Sequence, residues 1–299
     1  MTDYTVTYLN FSKQNLQVLP DLSLYTNLQT LDCSINQITS LNNLPPNLET
    51  LYCSDNKLTS LENLPPNLQI LDCSDNQLTS LENLPPNLQR LLCCTNQLTS
   101  LSNLPLTLEE LLCWENKLTG LNFRGSDRDR LEDGKTEGKT ESALRFLQCN
   151  NNQLTSLENL PPDLRAVDCS HNQLTSLTNL PPELQTLVCH NNQLTRLGGA
   201  FGTLPATLRE LICYNNQLTS LENLPPNLQR LHCVNNKITR LSGVKTLALQ
   251  ELHCSKNPIY TTCKEQYGFE LSKKTIEKYN EIQSILDSIL LDTMDTIRI

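Results

Sequence analysis

A block close to L-P-P-N-L-Q-x-L-x-C-S-x-N-Q-L-T-S-L-x-N recurs along most of the chain at a 20-residue spacing. Each copy carries one anchor cysteine, at Cys33, Cys53, Cys73, Cys93, Cys113, Cys149, Cys169, Cys189, Cys213, Cys233 and Cys254. Three residues after every anchor stands an asparagine, from Asn36 to Asn257, and two residues beyond that a Leu or Ile. A unit this short cannot enclose a core of its own. It buries its apolar face only against its neighbours, so the chain must stack into a solenoid.

The chemistry inside one unit assigns its parts. In L-x-x-L-x-C the apolar positions alternate, as a short strand with one buried face requires. One strand per unit, each beside the last, makes a parallel sheet. The asparagine turns the chain off the strand, and its amide can satisfy backbone groups of neighbouring turns that would otherwise be buried unpaired. The Pro-Pro pairs, such as Pro45-Pro46 and Pro225-Pro226, fix φ and remove amide donors. They predict an extended, polyproline-like far side in place of helices. An opening unit is degenerate: Val6, Leu9, Phe11, Leu16 and Leu19 align with Leu28, Leu31, Cys33, Ile38 and Leu41, with Phe11 at the cysteine position and Gln14 at the asparagine position.

L-x-x-L-x-C-x-x-N-x-L resembles the leucine-rich repeat signature, with cysteine where that signature usually has a third leucine. The proline-bearing L-T-S-L-x-N-L-P-P-x-L is similar to the 20-residue repeats of bacterial type III secreted effectors. The cysteine-anchored C-S-x-N-Q-L-T-S-L is similar to repeats in proteins of giant amoeba-infecting viruses and some bacteria. The resemblance covers about residues 6 to 259. It implies a leucine-rich repeat solenoid with its parallel β-sheet on the concave face, a scaffold that presents a binding surface. The effectors often carry a helical hairpin before the repeats and a ubiquitin-ligase domain after them. Neither is expected here, since only residues 258–299 follow Asn257.

Three stretches depart from the period. Residues 122–142 separate two repeats by 36 residues. Between Arg124 and Glu141 they hold five basic and six acidic side chains, which predicts a mobile loop. Gly198 to Thr203 adds four residues, expected as a local bulge. From Ser272 onward, Ile276, Tyr279, Ile282, Leu286, Ile289 and Leu290 fall on one helical face, which predicts a C-terminal helical cap over the open end of the stack, with a dimerisation helix as the alternative. The expected organisation is a capping repeat at 1–22, eleven repeats over 23–259 and a helical cap at 260–299.

Composition narrows the function. A net charge of −9 argues against nucleic acid as partner, because phosphate binding needs a basic face. No apolar run approaches a membrane span, and residues 1–14 lack the basic and apolar regions of a secretory leader, so neither is expected. Thirteen cysteines in such a chain point to a reducing, cytoplasmic setting (host cytoplasm for a viral protein or an effector) and to reduced thiols. The anchors recur about 4.8 Å apart, pointing the same way, where disulfide geometry prefers closer Cβ atoms.

Side chains flanking the inward Leu and Cys face out. The first full repeats offer acidic and hydroxyl groups there, such as Asp32, Ser34, Asp55, Asp72 and Asp75. Later strands offer Leu92, Cys94, Leu112, Trp114, Phe146, Val188, Ile212 and Tyr214, including the sole tryptophan. Large apolar groups on such a face mark contact with a protein partner. Glu210, Arg230 and Glu251 share one column, expected as a cross-strand ion-pair ladder. His232 and His253 share another. Two histidines begin a metal site, but no third ligand is evident, so no metal is expected. Cys94 has no histidine nearby to activate it, Cys263 sits in a segment with no feature of a nucleophile, and no phosphate loop or H-E-x-x-H is present. The expected molecule is a monomeric, non-catalytic protein-recognition scaffold without a cofactor, in the manner of a virus- or pathogen-encoded host-interaction protein. A truncated ubiquitin-ligase effector and a structural array or virion component are the alternatives.

Overall fold

The computed structural model describes residues 4–121, 123, 142–198, 204–240 and 249–267. The inserted segment read at 122–142 (apart from residues 123 and 142), residues 199–203 of the second insertion and the helix read from Ser272 lie outside the described residues.

The chain divides into two compact units. The first carries eight strands in sequential order: β1 (Tyr8–Asn10), β2 (Thr30–Asp32), β3 (Thr50–Tyr52), β4 (Ile70–Asp72), β5 (Arg90–Leu92), β6 (Glu110–Leu112), β7 (Phe146–Gln148) and β8 (Ala166–Asp168). Among its described residues, the second carries β9 (Thr186–Val188), β10 (Glu210–Ile212), β11 (Arg230–His232), β12 (Glu251–His253) and the helix α1 (Pro258–Tyr267). Within each unit neighbouring strands pair in parallel, with the repeats in register: Leu51 opposite Leu71, Leu71 opposite Leu91, Leu211 opposite Leu231. The degenerate first unit joins the same sheet, with Leu9 opposite Leu31.

Each strand is three residues long because only its central residue points inward. That residue is fully buried from β2 to β11, whereas Leu9 in β1 and Leu252 in β12 are half-buried because each has a neighbour on one side only. One repeat buries Leu68, Leu71, Cys73 and Leu78 completely and Leu81 almost so. At roughly 1.5–3 kcal/mol for each fully buried leucine, the leucine columns supply the main stabilisation of the stack. All thirteen cysteines are buried thiols.

On the far side the chain is extended and punctuated by tight turns. The Leu48 amide donates to the Pro45 carbonyl, and the same turn recurs at Leu68–Pro65, Leu88–Pro85, Leu164–Pro161 and Leu228–Pro225. The proline-fixed φ sets the turn, and the closing leucine inserts into the core. Just before each turn an asparagine takes the left-handed conformation, as at Asn63, Asn83 and Asn223 (φ 60–61°), which asparagine tolerates better than most residues.

The asparagine ladder forms as the repeat pattern predicts. Asn76 Nδ2 donates to the carbonyls of Cys53 (3.1 Å), Cys73 (3.1 Å) and Ser74 (3.0 Å), and its Oδ1 accepts the Leu58 amide (2.9 Å). The last ladder residue does a second job. Asn257 donates to Cys233 and Cys254, and its own carbonyl accepts the Thr261 amide that opens α1. Pro258 follows at the first helical position, where its missing amide donor is no loss. This helix, which the repeat pattern did not anticipate, buries Ile259 and Cys263.

Candidate protein-binding face

The first and third residues of every strand lie on the open face of the sheet, opposite the leucine and cysteine columns. In the first unit, Leu92 of β5 stands opposite Leu112 of β6, and both are half-buried. Phe146 of β7 stands opposite Glu110 and is 51% exposed. Trp114 follows Cys113 and is half-buried, with its carbonyl accepting the Thr95 amide at 2.9 Å. Arg90 borders these groups and pairs with Glu110 at 2.8 Å. Among the expected contact residues of this unit, Phe146 is thus the one largely in solvent.

Cys94 departs from the expectation. Its position in the repeat faces the open side, yet the residue is only 2% exposed. The small side chain lies against the Trp114 backbone and Ser74, and burial pushes the thiol up to about 12. Ser74 and Ser170, at the equivalent place in their repeats, are buried too. A short side chain here sinks below the level of its neighbours, so Cys94 offers no contact surface.

Two aromatic groups add to the face towards its first strand. Tyr8 and Tyr52 are exposed, as is Ile35. The acidic groups there are partly turned inward: Asp32 Oδ1 accepts the Ser34 amide and hydroxyl, and Asp168 treats Ser170 in the same way. These are turn-forming bonds, which the spacing D-x-S would have revealed. Partial burial, and then the neighbouring carboxylates of Asp55, Asp72 and Glu115, raise the Asp75 carboxyl above its ordinary value against a bond from Thr95 that lowers it.

In the second unit, Val188 stands opposite Ile212, and both are half-buried. Tyr214 stacks on His190, with ring centroids 4.2 Å apart and planes 12° from parallel. The expected ion-pair column is present: Arg230 reaches Glu210 at 3.3 Å and Glu251 at 4.0 Å.

The histidine column differs from the sequence reading. His232 and His253 are opposite in register, with ring centroids 4.5 Å apart. Glu251, read only as part of the ion-pair column, is a third donor. Its Oε1 lies 3.2 Å from His232 Nε2 and 2.8 Å from His253 Nε2. Residues two apart on a strand share a face, so Glu251 and His253 had to be neighbours. The bond from His253 holds the Glu251 carboxyl below its ordinary value, with partial burial opposing and the contact with His232 acting in the same sense as the bond.

A second surface in the first unit was not anticipated. A polar groove of roughly 720 Å³ runs along the edge where the strands begin, lined by Asn47, Glu49, Asn67, Gln69, Asn87, Gln89 and their counterparts up to Thr107. The repeated N-L-Q of the block is its signal. Part of its polarity is spent on the scaffold, since Asn47 donates to the Thr26 carbonyl and Thr107 to the Pro86 carbonyl, both at 2.8 Å.

The thiols of Cys33, Cys213 and Cys263 are not poised as nucleophiles. Burial pushes Cys33 up to about 12 and Cys213 likewise, and Cys263 up to about 11. A thiol this far above neutral pH carries almost no thiolate. Among the described residues, no helix is long and apolar enough to cross a membrane.

Stacked three-residue strands joined by tight turns, a leucine core and an asparagine ladder define a repeat solenoid that displays a sheet. The family "Leucine Rich repeats (2 copies)" matches residues 46–86 and 182–226. With that match, the fold is that of a leucine-rich repeat solenoid. The chain is similar to YopM from Yersinia enterocolitica WA-314, with 31% identity and a TM-score of 0.59, over 85% of this chain and 58% of that one. It thus spans less than two thirds of that YopM chain. The leucine-rich repeat domain of APL1B is 27% identical, with a TM-score of 0.68 over 81% of this chain and 72% of that one. A chain of an octameric complex of Latrophilin 3, Unc5D and the leucine-rich repeat region of FLRT2 shares the fold, with 22% identity and a TM-score of 0.67 over 85% and 86% of the two chains. No curated protein matches the sequence.

Proposed function

We propose that this protein is a non-catalytic recognition scaffold that binds a protein partner on the open face of its sheet. The observation that carries this reading is Phe146, half in solvent on a strand face where Leu92, Leu112 and Trp114 also lie. None of these side chains belongs to the leucine core, and polar residues fill the same columns elsewhere, as Asp72 and Gln148 do. A partner would gain by burying them. In the second unit, Val188, Ile212 and Tyr214 are the proposed contacts.

The likeness to YopM supports a further proposal, that the partner is a host protein and this chain a pathogen's. Against the ubiquitin-ligase alternative stands the burial of Cys263, which pushes its thiol up to about 11. The test is a hydrogen-exchange footprint of the chain with a captured partner. Protection over β5–β7 supports the proposal, and protection confined to the turn side contradicts it.

A further inference from the structure

We propose that His232, Glu251 and His253 form a binding site for a first-row divalent transition-metal ion, Zn2+ foremost. The donor atoms of the three side chains lie within 4.8 Å of one another. Donors about 2.0–2.1 Å from a tetrahedral zinc ion sit roughly 3.3 Å apart. The carboxylate oxygen is 3.2 Å from one imidazole nitrogen and 2.8 Å from the other, close to the spacing of donors around a bound ion.

An independent observation points the same way. His232 Nε2 is shielded from solvent and makes no well-formed hydrogen bond, with the Glu251 carboxylate 3.2 Å away. A shielded imidazole nitrogen without a partner is costly unless something binds it, and a metal ion would. The backbone supports the arrangement, because β11 and β12 fix the two histidines opposite each other. Arg230, held by Glu210 at 3.3 Å, lies 4.0 Å from the other carboxylate oxygen of Glu251, which leaves Oε1 to face the imidazoles. Such outer contacts orient metal ligands.

The donor set selects the ion. Two imidazoles and a carboxylate suit zinc, cobalt, nickel and copper, whereas magnesium and calcium prefer oxygen alone. Three protein ligands leave a fourth place for water or for a donor from outside the chain. The nearby thiols do not compete, since Cys233 and Cys254 are buried in the core on the opposite side of the sheet.

The test is Zn2+ titration of the chelator-treated full chain by calorimetry, with Co2+ as a spectroscopic probe. The expected result is one equivalent of Zn2+ bound, and a Co2+ spectrum without thiolate charge transfer. His232→Ala, His253→Ala and the isosteric Glu251→Gln should each weaken binding at least about tenfold, the lower range for disturbing even an outer ligand contact. His171→Ala, at an exposed residue of the other unit, should leave it unchanged. Absence of stoichiometric binding, retention of affinity in Glu251→Gln, or thiolate bands with Co2+ would overturn the proposal.

Discussion

Asn96 Nδ2 donates to the carbonyl of Cys73 in the preceding repeat at 3.0 Å, while Asn96 Oδ1 accepts the Leu78 amide of that same repeat at 2.9 Å. The side chain thus joins two turns through two buried backbone groups that water cannot reach. Its neighbour Gln97 is exposed, and its side chain accepts a bond from Lys117 at 3.4 Å. Asn96→Ala is therefore expected to lower stability by at least about 2 kcal/mol, since each buried group left unpaired costs roughly 1–3 kcal/mol. Gln97→Ala should stay within about 0.5 kcal/mol of the parent. Urea midpoints measure both, and equal midpoints would remove the ladder from the account.

The cysteine column makes stability depend on alkaline pH. Cys33 and Cys213 rise from 9.0 to about 12, by burial first in both and for Cys33 by Asp32 next. The unfolded chain releases these protons near its ordinary thiol value, while the folded chain keeps them. The stabilisation is full below about pH 8 and is lost as pH climbs from 9 towards 12, by up to about 1.4 kcal/mol per pH unit for each thiol. Urea midpoints should hold from pH 7 to 8 and drop steeply by pH 10. Cys213→Ala should make that slope shallower by one thiol's share. A stability flat to pH 10 would contradict this.

Ile35 carries backbone strain that a polar residue would relieve. Its φ is 56°, in the left-handed region, and its side chain is 43% exposed. The same place in later repeats holds Asn151, Asn191, Asn215 and Asn235 at 53–54°. A β-branched residue is disfavoured there, whereas asparagine is tolerated. Ile35→Asn is expected to stabilise by about 1 kcal/mol. Calorimetry should show a higher Tm, and a lower one would mean that Ile35 packs more usefully than its exposure suggests.

The leucine and cysteine columns, the strand positions and the asparagine ladder were legible because each rests on a spacing repeated eleven times. Leu71 must face in if Cys73 does, and one register then fixes all the others. Features set by a single residue were harder to read. Cys94 follows the outward register, but whether a side chain there reaches solvent depends on its length and on what flanks it. Glu251 does reach Arg230 as read, but its contacts with the two histidines were missed because charge was read along a column and not along the strand, where i and i+2 share a face. The start of α1 did have a signal, an asparagine followed by proline at Asn257-Pro258, masked by the ladder role of the same asparagine.

The claim that the open face binds protein rests most directly on Trp114 and Phe146. Their replacement by alanine removes apolar surface outside the core, so the Tm should fall little. Affinity for a captured partner should fall about thirtyfold or more for each anchor truncated, the equivalent of about 2 kcal/mol. Asn67→Ala, on the polar edge groove, serves as the comparison. The decisive measurement is partner affinity and Tm determined together for Trp114→Ala, Phe146→Ala and Asn67→Ala. The account predicts weak binding with intact stability for the first two and unchanged binding for the third. Unchanged affinity in both aromatic variants, with loss in Asn67→Ala, would place recognition on the groove and contradict it.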